Sequence, residues 1–579
     1  MVHGSVSVDD SHMQALLAVH DWAPQAWISR CDPPLSTASS GSLAGLTFAV
    51  KDNMDVAGMP TTAACPGFAF TPSHHAVVVQ KLLDAGATLV GKTNLDQFAC
   101  GLNGSRSPYG AVPNAFDAAY VSGGSSSGSA YVVATGQVDF ALGTDTAGSG
   151  RVPAGLNNIV GLKPSKGLVS TRGVLPAAQS VDCVSVFAGT VDLAATVLKV
   201  LTGFDAKDAY SRRLDLATQP WGANFKFGVP STLHFFGDAL AEAAFEKSIG
   251  QLKALGGVPI AIDYGPLARA ADLLYNSALV AERYAAIKPF FDANEGEVIE
   301  PVRSIIAKGR DYSAADLYAA QTQLRMYGQQ ADAMWDSIDM LLVPTAPTHY
   351  TIAQIQADPV TLNRNLGEYT NFVNLLDYAA ISVPSSVRPD GLPFGVTLIG
   401  PCGSDWRLAD LGQRLHHSTA LKQGNTELKL PAEQSIWSQA AIKREAFVSI
   451  AVVGAHLSGM QLNKQLIERG ARLLATTETA PHYRFYALPG TTPPKPGLLR
   501  VADGTGGRIA LEIWEMPMAN YGSFVSLIPS PLGIGTLALS DGGTVQGFVC
   551  EALATQGAQD ITEFGGWRAY ISSLAASNP

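Results

Sequence analysis

This chain is poor in charge and in cysteine for its length. Of its 579 residues, 15% are charged and six are cysteines. Cys31, Cys65, Cys100, Cys183, Cys402 and Cys550 lie far apart with no C-x-x-C pair. That spacing argues against a disulfide scaffold or a cysteine-clustered zinc site, and predicts free, mostly buried thiols in a reducing compartment. Basic runs are missing too. The 39 Lys and Arg against 49 Asp and Glu give a net charge of −10, so no surface suited to nucleic acid is expected. There is also no unbroken apolar stretch of spanning length. The longest uncharged reach, between Glu515 and Asp541, is interrupted by prolines, glycines and an asparagine, so no membrane span is expected. The first residues lack a basic stretch followed by an apolar core, so no secretory signal is expected and a cytoplasmic protein is.

What is present is core-forming material. Hydrophobic residues make up 47% of the chain, and its length predicts more than one domain. Strands and helices alternate from Leu46 onward, the pattern of an α/β domain with a mixed sheet. Residues 13–27 read as an amphipathic helix on the outside, within an N-terminal extension over 1–45. Residues 422–445, polar and carrying Pro431, read as a linker. A smaller domain is expected over 446–579. It opens with the buried strand 447–453 and the tight loop Gly454-Ala455-His456-Leu457-Ser458-Gly459, and alternating strands follow at 483–490 and 509–517.

Three segments carry chemistry: Val50-Lys51-Asp52, Gly123-Gly124-Ser125-Ser126-Ser127-Gly128, and Gly143-Thr144-Asp145-Thr146-Ala147-Gly148-Ser149-Gly150. A serine nucleophile needs a base. The Gly/Ser segments contain no histidine, but a lysine closes the apolar run Leu46-Thr47-Phe48-Ala49-Val50-Lys51. Burial there disfavours the ammonium, which a lysine base requires. Backbone N–H groups from Thr146 through Ser149 suit a developing oxyanion, because small residues let the main chain approach closely. Asp145 and Arg151 are expected to pair and shape this loop.

Two other patterns are weaker. Gly86-Ala87-Thr88-Leu89-Val90-Gly91-Lys92-Thr93 matches a phosphate-binding loop in letters. Its context is wrong: Ala76 to Leu83 reads as a helix that Gly86 ends, and Ala87 to Val90 as the next strand, the reverse of strand–loop–helix. Gly124-Ser125-Ser126-Ser127-Gly128 satisfies a nucleophile elbow centred on Ser126. It would draw a histidine from His349, His416 or His417 and leave Lys51 and Ser149 without a role.

The three segments together, in this order, resemble the amidase signature family. The resemblance implies an α/β fold with an open mixed sheet flanked by helices, and a Ser-cisSer-Lys triad: Lys51 as base, Ser125 as relay, Ser149 as nucleophile. It also implies an oxyanion hole from Thr146, Ala147 and Gly148, and substrate contact at Gly124. Ala147 stands where the family usually has glycine. Met340 to Pro347, Ile381 to Pro384 and Gly395 to Gly400 are similar to the family as well, so the likeness runs from about Leu46 to about Leu415, with the amidase domain placed at 1–421.

The C-terminal segment resembles a γ-glutamylcyclotransferase-like α+β fold, a small mixed barrel with a Gly-rich loop after its first strand. An amidase domain followed by this one resembles the allophanate hydrolases. That resemblance implies a small anionic substrate, allophanate, whose amide is hydrolysed to ammonia and N-carboxycarbamate. It also implies that the C-terminal domain assists decarboxylation, with His456 as the catalytic candidate there. Arg283 is expected to hold the substrate carboxylate, with Tyr275 donating a hydrogen bond from the same helix eight residues away. No metal, organic cofactor, nucleic acid or membrane is called for, and a homodimer is expected. The alternatives are an amidase acting on biuret or another small amide, and the amidase subunit of a tRNA-dependent amidotransferase. A non-catalytic binding protein would have no use for the triad.

Overall fold

The computed structural model describes residues 23–222, 224–439, 447–491 and 493–576. The chain divides into two compact units, Met1–Ala440 and Ala441–Pro579.

Among the described residues of the first unit, one eleven-stranded sheet carries the architecture. Its strands are β1 (Trp27–Leu35), β2 (Thr47–Lys51), β3 (Thr88–Thr93), β4 (Phe140–Asp145), β5 (Val160–Lys163) and β6 (Cys183–Ala188), followed by β7 (Lys226–Pro230), β8 (Val258–Ile262), β9 (Met340–Pro344), β10 (Ala379–Val387) and β11 (Pro393–Gly400). The spatial order is β1-β3-β2-β4-β6-β5-β10-β11-β9-β7-β8. β2 runs parallel to β3 and β4, while β4, β6, β5, β10 and β11 alternate antiparallel. The sheet is therefore mixed.

Several buried clusters cover it, and strand alternation divides the residues of β2 and β4 between two of them. Phe48, Val50, Phe140 and Leu142 join one core with the helices Val77–Asp84, Val191–Leu201 and Asp405–Thr419. Ala49 and Ala141, the residues between, join the other with helix Ser127–Ala134. β2 and β4 are locked in register by Phe48 and Phe140, paired Cα partners whose rings stack 5.4 Å apart. Each such buried side chain stabilises the fold by about 1.5–3 kcal/mol. The parallel strands β2 and β4, buried throughout, end at Lys51 and Asp145, so their C-terminal ends deliver the candidate lysine and the candidate nucleophile loop together.

Several expectations change. Of the helix expected at 13–27, residues 13–22 lie outside the described residues. The rest is a 3-10 turn at Pro24–Ala26 leading into β1. β1 pairs antiparallel with β3 through Trp27–Thr93 and Ser29–Lys92, so strand pairing overrides the local helical pattern. Residues 422–439, expected as linker, pack on the first unit. Asn158 Nδ2 donates to Lys422 O and Gly424 O, and the short helix Ile436–Gln439 buries Ile436 completely.

The second unit holds a five-stranded sheet with β12 (Phe447–Val452) at its centre, between β16 (Ala510–Pro517) and β18 (Thr544–Cys550). β13 (Arg472–Glu478) and β17 (Leu532–Ala538) form its edges. β12 pairs antiparallel with β16 and parallel with β18. A small three-stranded sheet of β14 (Tyr483–Ala487), β15 (Pro496–Arg500) and β19 (Gln559–Asp560) completes it. Its core centres on Ile450, Val452, Trp514, Phe524 and Phe548.

Candidate active site

Lys51, Ser125 and the segment 143–150 meet inside the first unit. Lys51 and Ser125 are fully buried, and Ser149 is 2% exposed. Lys51 Nζ donates to Ser125 Oγ at 2.7 Å and to Thr144 Oγ1 at 2.8 Å. Burial depresses its pKa to about 7. Asp96, Asp182 and Asp145 pull the other way, and Arg283 adds to the depression. The Coulomb attraction of three carboxylates is thus outweighed by loss of hydration, the larger effect for a charge deprived of water.

The Ser125 backbone is fixed from below. The Gly124–Ser125 peptide is cis, and Ser125 O accepts from Asp96 N at 3.0 Å. A Cβ on Gly124 would lie 2.2 Å from Asp96 Oδ2, so only glycine permits this approach. That gives Gly124 a packing role in addition to the substrate contact expected of it. Ser126 Oγ donates to Thr144 O at 3.1 Å and accepts from Thr144 N at 3.3 Å. It is therefore tied into the strand and does not stand free as an elbow nucleophile. His349 contacts Arg388, and His416 is buried within helix Asp405–Thr419.

The nucleophile loop is organised by an ion pair. Arg151 Nε and Nη2 donate to Asp145 at 2.9 Å each, both side chains fully buried, and Nη2 also reaches Thr370 O and Asn374 Oδ1. Burial alone would raise the Asp145 carboxyl, but Arg151 overrides it and holds it low. Asp145 in turn accepts from Gly148 N (2.9 Å) and Gly150 N (3.0 Å). Gly148, expected in the oxyanion hole, therefore has its N–H occupied by the loop's own carboxylate. The N–H groups of Thr146, Ala147 and Ser149 have no acceptor among the described residues. Gly148 has φ +130 and packs against Thr370, whose Oγ1 donates to Ala147 O. Among the described residues, Ser149 Oγ donates only a long 3.4 Å bond, to Gly101 O.

Tyr275 and Arg283 are near one another, on two helices rather than one. The helix Gly265–Asn276 ends after Tyr275, and Arg283 lies in the first turn of Ala281–Asn294. Ser277 marks the break: its backbone is extended and its hydroxyl accepts from Leu279 N as a cap, a serine preference legible in sequence. Arg283 Nη2 lies 3.4 Å from Tyr275 OH, with the guanidinium 5.4 Å above the ring. Arg283 is 4% exposed, and its Nε and Nη1 have no hydrogen-bond partner among the described residues. A buried guanidinium with two orphaned nitrogens is costly unless an anion completes it.

The phosphate-loop lookalike is strand. Gly91, Lys92 and Thr93 lie in β3, and Lys92 Nζ is held by Asp52 at 2.9 Å, Pro60 O and Thr61 Oγ1. Sequence reasoning missed Thr144, Asp96 and Asp182. Asp96 and Asp182 lie outside the motif segments and meet them only in space, and only Thr144 carried a local signal, inside Gly-Thr-Asp.

In the second unit, the loop after β12 places His456 in a cavity of about 190 Å³, with Gln465, Lys495, Phe524 and Phe548 among its walls. The imidazole stacks on Phe548 (5.1 Å) and meets Phe524 edge-on (5.2 Å), with Nε2 2.9 Å from Gln465 Oε1. Burial lowers its pKa; Gln465 opposes this and Lys495 reinforces it. Glu515 is turned to Arg472 at 2.6 Å.

A mixed sheet of this order, with a buried lysine bonded to a serine beside a glycine-framed second serine, defines the amidase class. The chain belongs to the Amidase family, whose model matches residues 10–409. The model of the allophanate hydrolase C-terminal domain matches residues 448–572. The chain is 45% identical over 545 residues to a urea amidolyase from Lachancea kluyveri, covering 92% of this chain. It spans only 30% of that relative's length. The structure of an allophanate hydrolase from Kluyveromyces lactis superposes with TM-score 0.70 at 40% identity, covering 97% of this chain and 96% of that one. One subunit of a glutamyl-tRNA(Gln) amidotransferase from Trichormus variabilis is 34% identical over 422 residues, 66% of this chain and 85% of that one.

Proposed function

We propose that the chain hydrolyses the amide of allophanate, using Lys51, Ser125 and Ser149. The observation that carries this reading is Arg283: a buried guanidinium with Nε and Nη1 unpartnered, in the electrostatic reach of Lys51. A carboxylate on the substrate would bind bidentately through Nη2 and one of those two nitrogens, with Tyr275 as neighbour. A neutral amide such as biuret would offer only one carbonyl oxygen there, without the charge or the second oxygen of a carboxylate.

The proton path follows from the pKa of Lys51. A neutral amine has one lone pair, so Nζ accepts the Ser125 proton while still donating to Thr144 Oγ1. Ser125 accepts the proton of Ser149 as that oxygen attacks the carbonyl next to the terminal NH2. Ser149 must turn from Gly101 O to do so. The oxyanion meets the free N–H groups of Thr146, Ala147 and Ser149. Collapse breaks the C–N bond, the leaving nitrogen takes the proton back through Ser125, and ammonia departs. Water then cleaves the acyl-enzyme to N-carboxycarbamate. These steps draw on no metal and no organic cofactor.

In the second unit, N-carboxycarbamate would enter the His456 cavity. Loss of CO2 needs a proton on nitrogen, leaving carbamate, which takes up another to give ammonia and CO2. His456 relays the proton, and we take the protein to act as a homodimer. Support comes from the urea amidolyase and allophanate hydrolase relatives and from the C-terminal family match. The test is ammonia release from allophanate, with biuret and glutamine alongside. Turnover of allophanate alone supports the reading. Equal or faster turnover of biuret or glutamine contradicts it.

A further inference from the structure

One turn ties the nucleophile loop to Arg283. β6 begins at Cys183, the Cα partner of Asp145 on β4, so the next residues outward, Asp182 and Thr146, face each other. Thr146 Oγ1 donates to Asp182 Oδ1 at 2.5 Å. Ala177 N (2.7 Å) and Ala178 N (3.1 Å) donate to Oδ2. On the far side of the same turn, Ser180 N and Oγ each donate at 2.7 Å to Glu282, the residue before Arg283. Asn374 Nδ2 bridges Asp145 O and Val181 O at 2.7 and 2.9 Å. Ala147, Ala178, Val181 and Tyr275 share one apolar cluster. The turn thus touches the loop that carries Ser149 and the helix start that carries Arg283.

Asp182 is also a charge in the right place. The charged groups acting on Lys51 are Asp96, Asp182, Asp145 and Arg283. Those acting on Asp182 are Arg283, with Thr146 and the two backbone N–H donors, against a burial that lifts its carboxyl to about 6. Glu282 acts on Arg283 as well, in the same direction as Asp182. Nothing in the triad chemistry requires Asp182, yet it is buried and aimed at the loop.

We propose that Asp182 is a positioning residue for hydrolysis at Ser149, fixing Thr146 at the head of the nucleophile loop and supplying negative charge against which Lys51 and Arg283 are set. This rests on the reading of Lys51 as the base. Asp182→Asn keeps an acceptor for Thr146 and removes the charge. With one fewer carboxylate favouring its ammonium, Lys51 stays neutral to lower pH, so the acid limb of the rate profile moves down.

The test is the pH dependence of kcat/KM for allophanate with the full chain. Asp182→Asn is expected to shift the acid limb to lower pH and to reduce kcat about tenfold. An unshifted limb would overturn the proposal, since a mere structural brace leaves the base untouched. Should Asp182→Asn fail to fold, Thr146→Val decides. A several-fold fall in kcat at unchanged KM supports the tie, and wild-type kcat overturns it. Ser149→Ala and Lys51→Ala run beside these variants. Wild-type turnover by either one condemns the triad itself, a different failure from an unmoved limb.

Discussion

The site around Ser149 and the cavity around His456 are built in opposite ways. In the first, buried polar groups hold one another: Lys51 with two hydroxyls, Asp145 with Arg151 and two loop N–H groups. In the second, one imidazole is held by two phenylalanine rings and a glutamine. A network of that density fixes geometry and charge together, which suits a nucleophile, a base and an oxyanion hole that must act in one step. A ring-lined cavity with a single titrating imidazole suits a step that needs exclusion of water and one proton. The first site also leaves a charged group unsatisfied among the described residues, the Arg283 guanidinium, the group that the proposed function assigns to a charged substrate.

The sharpest way to separate the two regions is to disable the first. Ser149→Ala is expected to reduce ammonia release from allophanate by at least about 10³-fold, with the fold of the second unit unchanged by circular dichroism. Arg283→Ala comes next. Losing the carboxylate's partner should raise KM by on the order of 10², and the acid limb should move to higher pH, because Arg283 helps keep Lys51 neutral. In the wild type that limb should fall near pH 7, where Lys51 titrates. Since the neutral amine is the working form, kcat/KM should drop about tenfold per pH unit below it. The smallest effect is expected in the second unit. His456→Asn should leave the first ammonia unchanged and slow CO2 evolution by about tenfold, read as a lag between the two products. Simultaneous loss of both would erase the division of labour.

Much of the first site was legible in the sequence because its parts are contiguous motifs. A lysine closing an apolar strand, a Gly/Ser segment and Gly-Thr-Asp-x-x-Gly-Ser each carry local chemistry. What the sequence hid depends on pairing across space. Asp182 matters only because β6 registers against β4, and no period or motif announces that. The occupied N–H of Gly148 was hidden because the Asp145 side chain curls back onto it, a contact between residues three apart that loop geometry decides. β1 replaced part of an expected helix because the edge of β3 needed a partner, a tertiary gain that local propensity cannot see. The break at Ser277 was legible in principle as a capping serine, yet the helical reading ran through it.

Ser149, and neither Ser125 nor Ser126, is expected to form the covalent bond. Treating the full chain with an amide-directed phosphonate and mapping the adduct by peptide mass spectrometry tests it directly. A single adduct on Ser149 is expected, formed faster as pH rises through about 7 and absent from Lys51→Ala. An adduct on Ser125 or Ser126, or labelling of Lys51→Ala at the wild-type rate, would contradict it.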